Sequence, residues 1–285
     1  MRTLASSEPL LHRRRLLRIS TMGTSTAPLN VDAGFTAHNF EDCRNIRSGA
    51  AFIIASGQSA KAFPIEAFSD VPMITMNGAI SLFMDTPVRP FFYTCTDTHF
   101  SIQQPELFVE ALRRSERVAL WEHHFRSLQV ETNAQVYFLK KAPKAHLMDL
   151  MFKKDPELIR HRSLAGCSKK AGFSKNLQRG FFDARTVAYL ALQIAYHAGF
   201  SKVFLVGVDL NQNLPRFYEH QGMERSPCGL DQHFESRILP SFELVASSVV
   251  NERFAVYNLS PDSRIPRSVI PYKTLDEVKA LIHAG

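Results

Sequence analysis

No two cysteines in this sequence stand close enough to act together. Cys43, Cys95, Cys167 and Cys228 are scattered through 285 residues without a Cys-x-x-Cys pair, which argues against a structural zinc site and a disulfide framework. Long apolar runs are missing too: nothing approaches the roughly 20 residues that cross a bilayer. Arg18 and the polar run "STMGTSTAP" break any apolar core of a secretory signal, so a cytoplasmic chain is expected. The dinucleotide fingerprint Gly-x-Gly-x-x-Gly and the phosphate loop Gly-x-x-x-x-Gly-Lys-Ser/Thr are both absent. A hydride-transferring dinucleotide enzyme and a P-loop nucleotidase therefore start weak. No Asp-x-Asp pair occurs either, since "DTH" and "DLN" each carry one carboxylate. Metal catalysis is poorly supported, which leaves charge stabilisation to Arg, Lys, Tyr and amide donors.

The composition otherwise suits a folded protein with a full-sized core, at 45% hydrophobic and 21% charged residues. Aromatics are dominated by Phe, with 22 copies against 7 Tyr and 1 Trp. The net charge of +7 is unevenly placed. Arg2, Arg13, Arg14, Arg15 and Arg18, less Glu8, leave about +4 in the first twenty residues, and about +3 for the remainder. That remainder is too small to argue for nucleic acid. Residues 1–48 read as a basic, partly disordered leader, and "LLHRRRLLRIS" within it could touch an anionic membrane surface. An upstream start codon, with the native chain beginning at Met22, reads equally well.

Residues 49–285 read as one domain of strands alternating with helices. "AAFIIA", "PMITM", "PFFYTC", "RVAL", "AQVYFL", "KVFLV" and "FAVYN" are short apolar runs suited to buried parallel strands. "DARTVAYLALQIAYHAGF" predicts a strong helix, with Val187, Leu190, Ala191, Ile194 and Ala198 along one side and Gly199 at its C-cap. "ILPSFELVASSVVNER" and "TLDEVKALIHA" predict two more. His123 and His124 read as strand neighbours facing opposite ways, in surface or packing roles. The basic, irregular stretch 143–180 reads as a mobile, lid-like insertion. Its Lys169, Lys170 and Lys175 could supply charge, although a solvated surface run is the default.

Alternating strands and helices give a mostly parallel sheet with helices on both faces, a Rossmann-like α/β fold. Ligands bind such sheets outside the carboxyl ends of the strands. Five apolar strands here run straight into polar tips: "SGQS", "MNGA", "TDTH", "DLNQN" and "NLSP". The tips would share one rim and form a nucleotide-type pocket. "SGQS" offers backbone N–H groups to a phosphate but is equally compatible with a plain tight turn. His99 and His233 are the candidate bases, and Asp231 and Glu235 lie close enough in sequence to orient His233.

In order, "FIIASGQSAKAF", "ITMNGAISLF", "ARTVAYLALQIAYHAGFSKVFLVGVDLNQN" and "DQHFESRI" resemble the bacterial sialyltransferases of glycosyltransferase family 42. "GVDLN…RFYE", "RILPSF" and "YNLSPDSRIP" bring the chain closer still to lipopolysaccharide core biosynthesis Kdo (3-deoxy-manno-octulosonic acid) transferases. The likeness runs from about residue 50 to 268 and is poor in the middle. It implies a sialyltransferase-like variant of the GT-A fold. Sialic acid and Kdo are both 2-keto-3-deoxy sugar acids activated as CMP esters, so the resemblance implies metal-independent, inverting transfer from such a donor. For the closer family the acceptor is the lipid A–core oligosaccharide at the inner membrane's cytoplasmic face, with peripheral membrane contact; an oligomer stays open. The alternatives are a sialyltransferase, a transferase of another CMP-linked sugar, and a non-catalytic nucleotide-binding protein of envelope assembly.

Carried over by motif, the resemblance places Ser56, Gly57, Gln58 and Ser59 around the CMP, with Asn77 in the same pocket and Thr96 and Asp97 at the third tip. Arg185 becomes the partner of a donor carboxylate or phosphate. Asp209 meets the cytidine or ribose, Ser260 stands in the last tip, and His233 is the base. The chain departs from the sialyltransferase pattern at Asn211, where a phosphate-supporting tyrosine is expected, and at Ala188, where a serine is expected. Tyr218 is the candidate substitute for tyrosine support. These departures favour a donor other than CMP-sialate.

Overall fold

The computed structural model describes residues 37–128, 130–144, 155–161, 171–219 and 229–283. Seven parallel strands form the central sheet in the order β5-β4-β3-β2-β1-β8-β9. They are β1 (Ala50–Ile54), β2 (Met73–Met76), β3 (Phe92–Thr94), β4 (Arg117–Leu120), β5 (Gln135–Phe138), β8 (Lys202–Val206) and β9 (Ala255–Asn258). The first five run outward in one direction from β1, and the chain then returns to add β8 and β9 on the other side. β1 and β8 therefore flank the topological switch point, where doubly wound sheets open a crevice at their carboxyl ends.

Alternation along the strands divides the core. Ala51 and Ile53 of β1, and Val203 and Leu205 of β8, join one cluster; Phe52, Ile54, Phe204 and Val206 join the other. α4 (Val187–Ala198) and α6 (Leu239–Ser248) contribute to the first cluster, α2 (Pro105–Arg114) and α7 (Leu275–His283) to the second. Helices thus cover both faces, which is why the strands read as continuous apolar runs. α4 is apolar almost all round, as a helix sunk in the core must be. It ends where the sequence predicts. Gly199 adopts φ 99°, its N–H reaches the carbonyls of Ala195 and Tyr196, and a Cβ there would lie 2.5 Å from the Arg47 carbonyl oxygen.

That contact corrects the leader boundary. Residues 37–48 belong to the folded body: Phe40 and Cys43 are buried, and the Asn45 and Arg47 amides donate to the His197 and Ala198 carbonyls. Residues 1–36, the basic run included, lie outside the described residues, as do Cys167, Cys228, Lys169 and Lys170. The remaining thiols are packing groups. Burial pushes Cys43 and Cys95 each up to about 12.

Two further expectations change. β4 stops at Leu120, and Trp121 caps a short helix, α3 (Glu122–Ser127), so His123 and His124 are helical neighbours. His124 is buried against the Ser101 hydroxyl at 2.9 Å, and His123 stacks on Trp121. The reason is local: an Arg126–Glu122 pair at 2.9 Å and burial of His124 and Phe125 favour a helical turn.

The described part of the 143–180 insertion is anchored. β6 (Leu158–Arg160) pairs antiparallel with β7 (Gly172–Ser174), and Phe173 sits fully buried between the rings of Tyr189 and Tyr196. The buried Gln193 amide of α4 ties it down, accepting from Ser174 N and Phe182 N and donating to the Phe182 carbonyl. A single Phe among lysines and serines carries no periodicity, so tertiary packing fixes this segment. Lys175 places its ammonium over the Tyr196 ring.

Candidate active site at the carboxyl ends of the sheet

The loops after β1 and β8 touch because two glycines let them. Gly57 N donates to the Gly207 carbonyl at 2.9 Å, and a Cβ on Gly57 would fall 2.5 Å from both that oxygen and Asp209 Oδ2. Gly207 has φ 70°, and a Cβ there would meet the Ala55 carbonyl at 2.5 Å. Asp209, only 7% exposed, accepts the Ser59 N–H at 3.0 Å and a short hydrogen bond from the Ser59 hydroxyl. The hydroxyls of Ser59 and Ser260 are hydrogen-bonded at 2.8 Å. One carboxylate and two serines therefore lock three strand tips together. Here Asp209 organises the loop after β1.

The same loop carries the next segment. The Gln58 side-chain amide donates to the Pro215 carbonyl at 2.8 Å, and Phe217 N donates to the Ser56 carbonyl. This delivers Tyr218 onto the tip of β2. Its ring lies so close over Gly78 that a Cβ there would come within 2.3 Å of it. Asn77 beside it takes φ 44°, and its Oδ1 is buried without a hydrogen-bond partner among the described residues. A buried acceptor left unsatisfied at a strand tip is uncommon and singles this asparagine out. Asn211 is different: its side chain accepts from Asn213 N and closes an exposed turn, next to Leu210 at φ 56°.

Thr96, Asp97 and Arg185 meet around a cleft of about 480 Å³ between the β3 and β4 tips and the start of α4. Asp97 Oδ1 accepts the His99 N–H and shapes the tip; His99 itself is exposed. Arg185 has φ 63°, and its guanidinium makes no hydrogen bond or ion pair among the described residues, although its N–H donates to Asp183 Oδ1. Asp183 also pairs with Lys141 at 3.0 Å. Burial alone would raise the pKa of Asp183, but the Arg185 amide and the Lys141 ammonium outweigh that and hold its carboxyl below the usual carboxylate range. Trp121, Lys141 and Asp183 line this cleft and escaped the sequence reading. A signal existed: the tips of β4 ("LWEHH") and β5 ("LKKA") are polar too.

His233 closes the short helix α5 (Leu230–His233) and caps a π turn, Phe234–Ile238, that leads into α6. Single π turns concentrate at functional sites. The expected orientation of His233 by Asp231 is not what the structure shows. The Asp231 carboxylate pairs with the guanidinium of Arg264, the backbone N–H of Arg264 donates to the Asp209 carbonyl, and the Asp231 N–H donates to the Gln212 side-chain oxygen. His233 is thus tethered to the β8 tip through its neighbours. One turn on, Arg237 donates twice to the Asp183 carbonyl, at 3.0 and 2.7 Å, joining the His233 segment to the Arg185 segment. Burial, with Arg185 nearby, lowers the pKa of Arg237 from its ordinary value.

Fold and site together define a Rossmann-like α/β protein whose polar residues gather at the carboxyl ends of a doubly wound sheet. The model of a family described as 3-deoxy-D-manno-octulosonic acid transferase WaaZ matches residues 37–276, and the chain belongs to that glycosyltransferase family. It is 27% identical over 259 residues to a probable 3-deoxy-manno-octulosonic acid transferase of Salmonella typhimurium, covering 85% of this chain and 90% of the relative. The corresponding Escherichia coli protein is 27% identical over 249 residues, covering 82% and 85%. Among solved structures, the sialyltransferase CstII from Campylobacter jejuni in complex with cytidine-5'-monophosphate is similar with a TM-score of 0.43 and 12% identity, over 79% of this chain and 84% of that one. Among the described residues no helix is long and apolar enough to cross a membrane, and no group of three His, Cys, Asp or Glu side chains could hold a metal ion.

Proposed function

We propose that this chain transfers a Kdo residue from its CMP ester to a hydroxyl of the lipopolysaccharide inner core, by an inverting displacement that needs no metal. The observation that carries the reading is Arg185: an exposed guanidinium with no hydrogen bond or ion pair among the described residues, in left-handed backbone, on a cleft of sugar size. Left-handed backbone is costly for a residue with a side chain, and a carboxylate-bearing sugar needs a cation free to pair with it. The CMP is assigned to the loops of Ser56–Ser59, with Asn77 and the Ser59–Asp209–Ser260 lock shaping that pocket. The bond from the anomeric carbon to the phosphate oxygen breaks, and its electron pair leaves with CMP. The acceptor oxygen attacks the opposite face, and His233 takes the hydroxyl proton. Tyr218 is the candidate for supporting the departing phosphate. The acceptor is amphipathic and phosphorylated, so the reaction is assigned to the cytoplasmic face of the inner membrane, with the basic leader as a peripheral contact.

Thermal unfolding with CMP, UDP, GDP or NAD, with and without Mg²⁺, tests the donor class, since a ligand of the native state stabilises it by RT ln(1 + [L]/Kd). Selective stabilisation by CMP without Mg²⁺, followed by turnover of CMP-Kdo but not CMP-sialate, is expected. Stabilisation by UDP or NAD instead would overturn the reading.

A further inference from the structure

The donor reading uses one side of the 480 Å³ cleft, where Thr96, Asp97 and Arg185 stand, and leaves the side formed by Trp121, Phe181 and Lys141 unassigned. Its wall is an aromatic plate. The Trp121 indole N–H donates to the Thr96 carbonyl at 3.0 Å, and the Phe181 and His123 rings pack against it at 5.6 and 6.3 Å between centroids. A plate held from its edge and its back is the kind of surface on which the apolar face of a pyranose rests. The cleft volume falls within the range of sites for small ligands.

Cations stand beside the plate. Lys141 Nζ lies 5.9 Å from the Trp121 ring centroid, and its side chain is 60% exposed. Its single ion-pair partner among the described residues is Asp183, which Arg185 N and Lys141 share. Exposed pairs of this kind hold by less than about 1 kcal/mol, so an incoming anion can exchange with Asp183 at low cost. Arg185 lines the same cleft and is kept for the donor carboxylate.

We propose that the Trp121 cleft is the acceptor subsite and takes an anionic glycoside, its ring on Trp121 and its anionic group at Lys141. This rests on the reading above only in calling the occupant the acceptor. A sugar carboxylate and a sugar phosphate share the required chemistry.

Trp121 is the single tryptophan of the chain, so its fluorescence reports directly on the cleft. The full-length protein is titrated with CMP, with the methyl glycoside of Kdo, with a hexose 6-phosphate and with neutral methyl mannoside. A saturable change with one or both anionic sugars is expected, weakened roughly tenfold in Lys141→Gln, a loss equal to one charge-assisted contact. The two anionic arms tell carboxylate from phosphate. Three results each overturn the subsite: no response to either anionic sugar, an equal response to methyl mannoside, or an emission change with CMP alone. CMP stabilisation without any sugar response sinks the subsite and spares the donor reading; a sugar response without CMP stabilisation does the reverse.

Discussion

The Ser59 hydroxyl and the Asp209 carboxylate are hydrogen-bonded across the gap between β1 and β8, and the Ser59 N–H adds a second bond. Asp209→Ala should leave the Ser59 N–H unpaired, with only the Ser260 contact for its hydroxyl, at a cost of about 1–3 kcal/mol. Loss of cooperativity near the β1 loop, a lowered Tm and loss of CMP stabilisation are expected. Ser59→Ala keeps the N–H contact and should fall between wild type and Asp209→Ala. Equal Tm values for all three would show that the lock holds nothing.

His233 lies half-exposed at the end of a four-residue helix, so His233→Ala should fold normally. Transfer should drop about 10²–10⁴-fold, the usual contribution of a general base. CMP stabilisation should be unchanged. A variant with near-native turnover would move the base to another residue, His99 first.

Arg237 positions two segments at once. Arg237→Met removes both hydrogen bonds to the Asp183 carbonyl, which should lower stability by about 1–3 kcal/mol. As a positioning effect it should lower kcat more than it raises the donor KM. Arg237→Lys, which retains one donor toward that carbonyl, should recover part of the rate. A purely structural role predicts a changed Tm with unchanged kcat in the folded fraction.

His197 gives a pH dependence with a definite sign. Its Nε2 lies 2.7 Å from the Phe40 carbonyl and its Nδ1 accepts Leu177 N–H at 3.2 Å, so the neutral ring satisfies both. Protonation would set an N–H against an N–H. Burial lowers its pKa from the ordinary 6.5, the Phe40 carbonyl opposing and Arg44 assisting; His124 is lowered by burial and by His123. Below about 6.5 the unfolded chain binds protons that the native state refuses, so stability is complete above that value and falls as pH drops beneath it. Tm measured between pH 8 and 5 should be flat and then decline, and His197→Gln should flatten the decline.

The strands, α4 with its Gly199 cap and the shared polar rim are legible in the sequence because apolar runs and a glycine stop are local signals. Phe40, Cys43 and Phe173 are not, since each is buried by a partner far along the chain. The site divides in the same way. Ser59, Asn77, Asp97, Arg185 and Asp209 all stand at strand tips or a helix start, where the pattern looks for them. That Asp209 faces Ser59, and that Asp231 turns from His233 to Arg264, depends on tertiary geometry that spacing does not encode. Trp121 and Lys141 were within reach, had the rule of polar tips been extended to β4 and β5.

The π turn after His233 holds one residue more than a regular helix would need between the same ends. Removing that residue would let α5 and α6 fuse into an unbroken helix, a locally more favourable backbone. It would also swing everything before the deletion by about 100° around the helix axis. His233 would then sit on a different side of the cylinder from the one it occupies now. The aim of the proposed base is therefore stored as a count of residues: an imperfection in winding serves as a set angle, and a smoother helix would point it the wrong way.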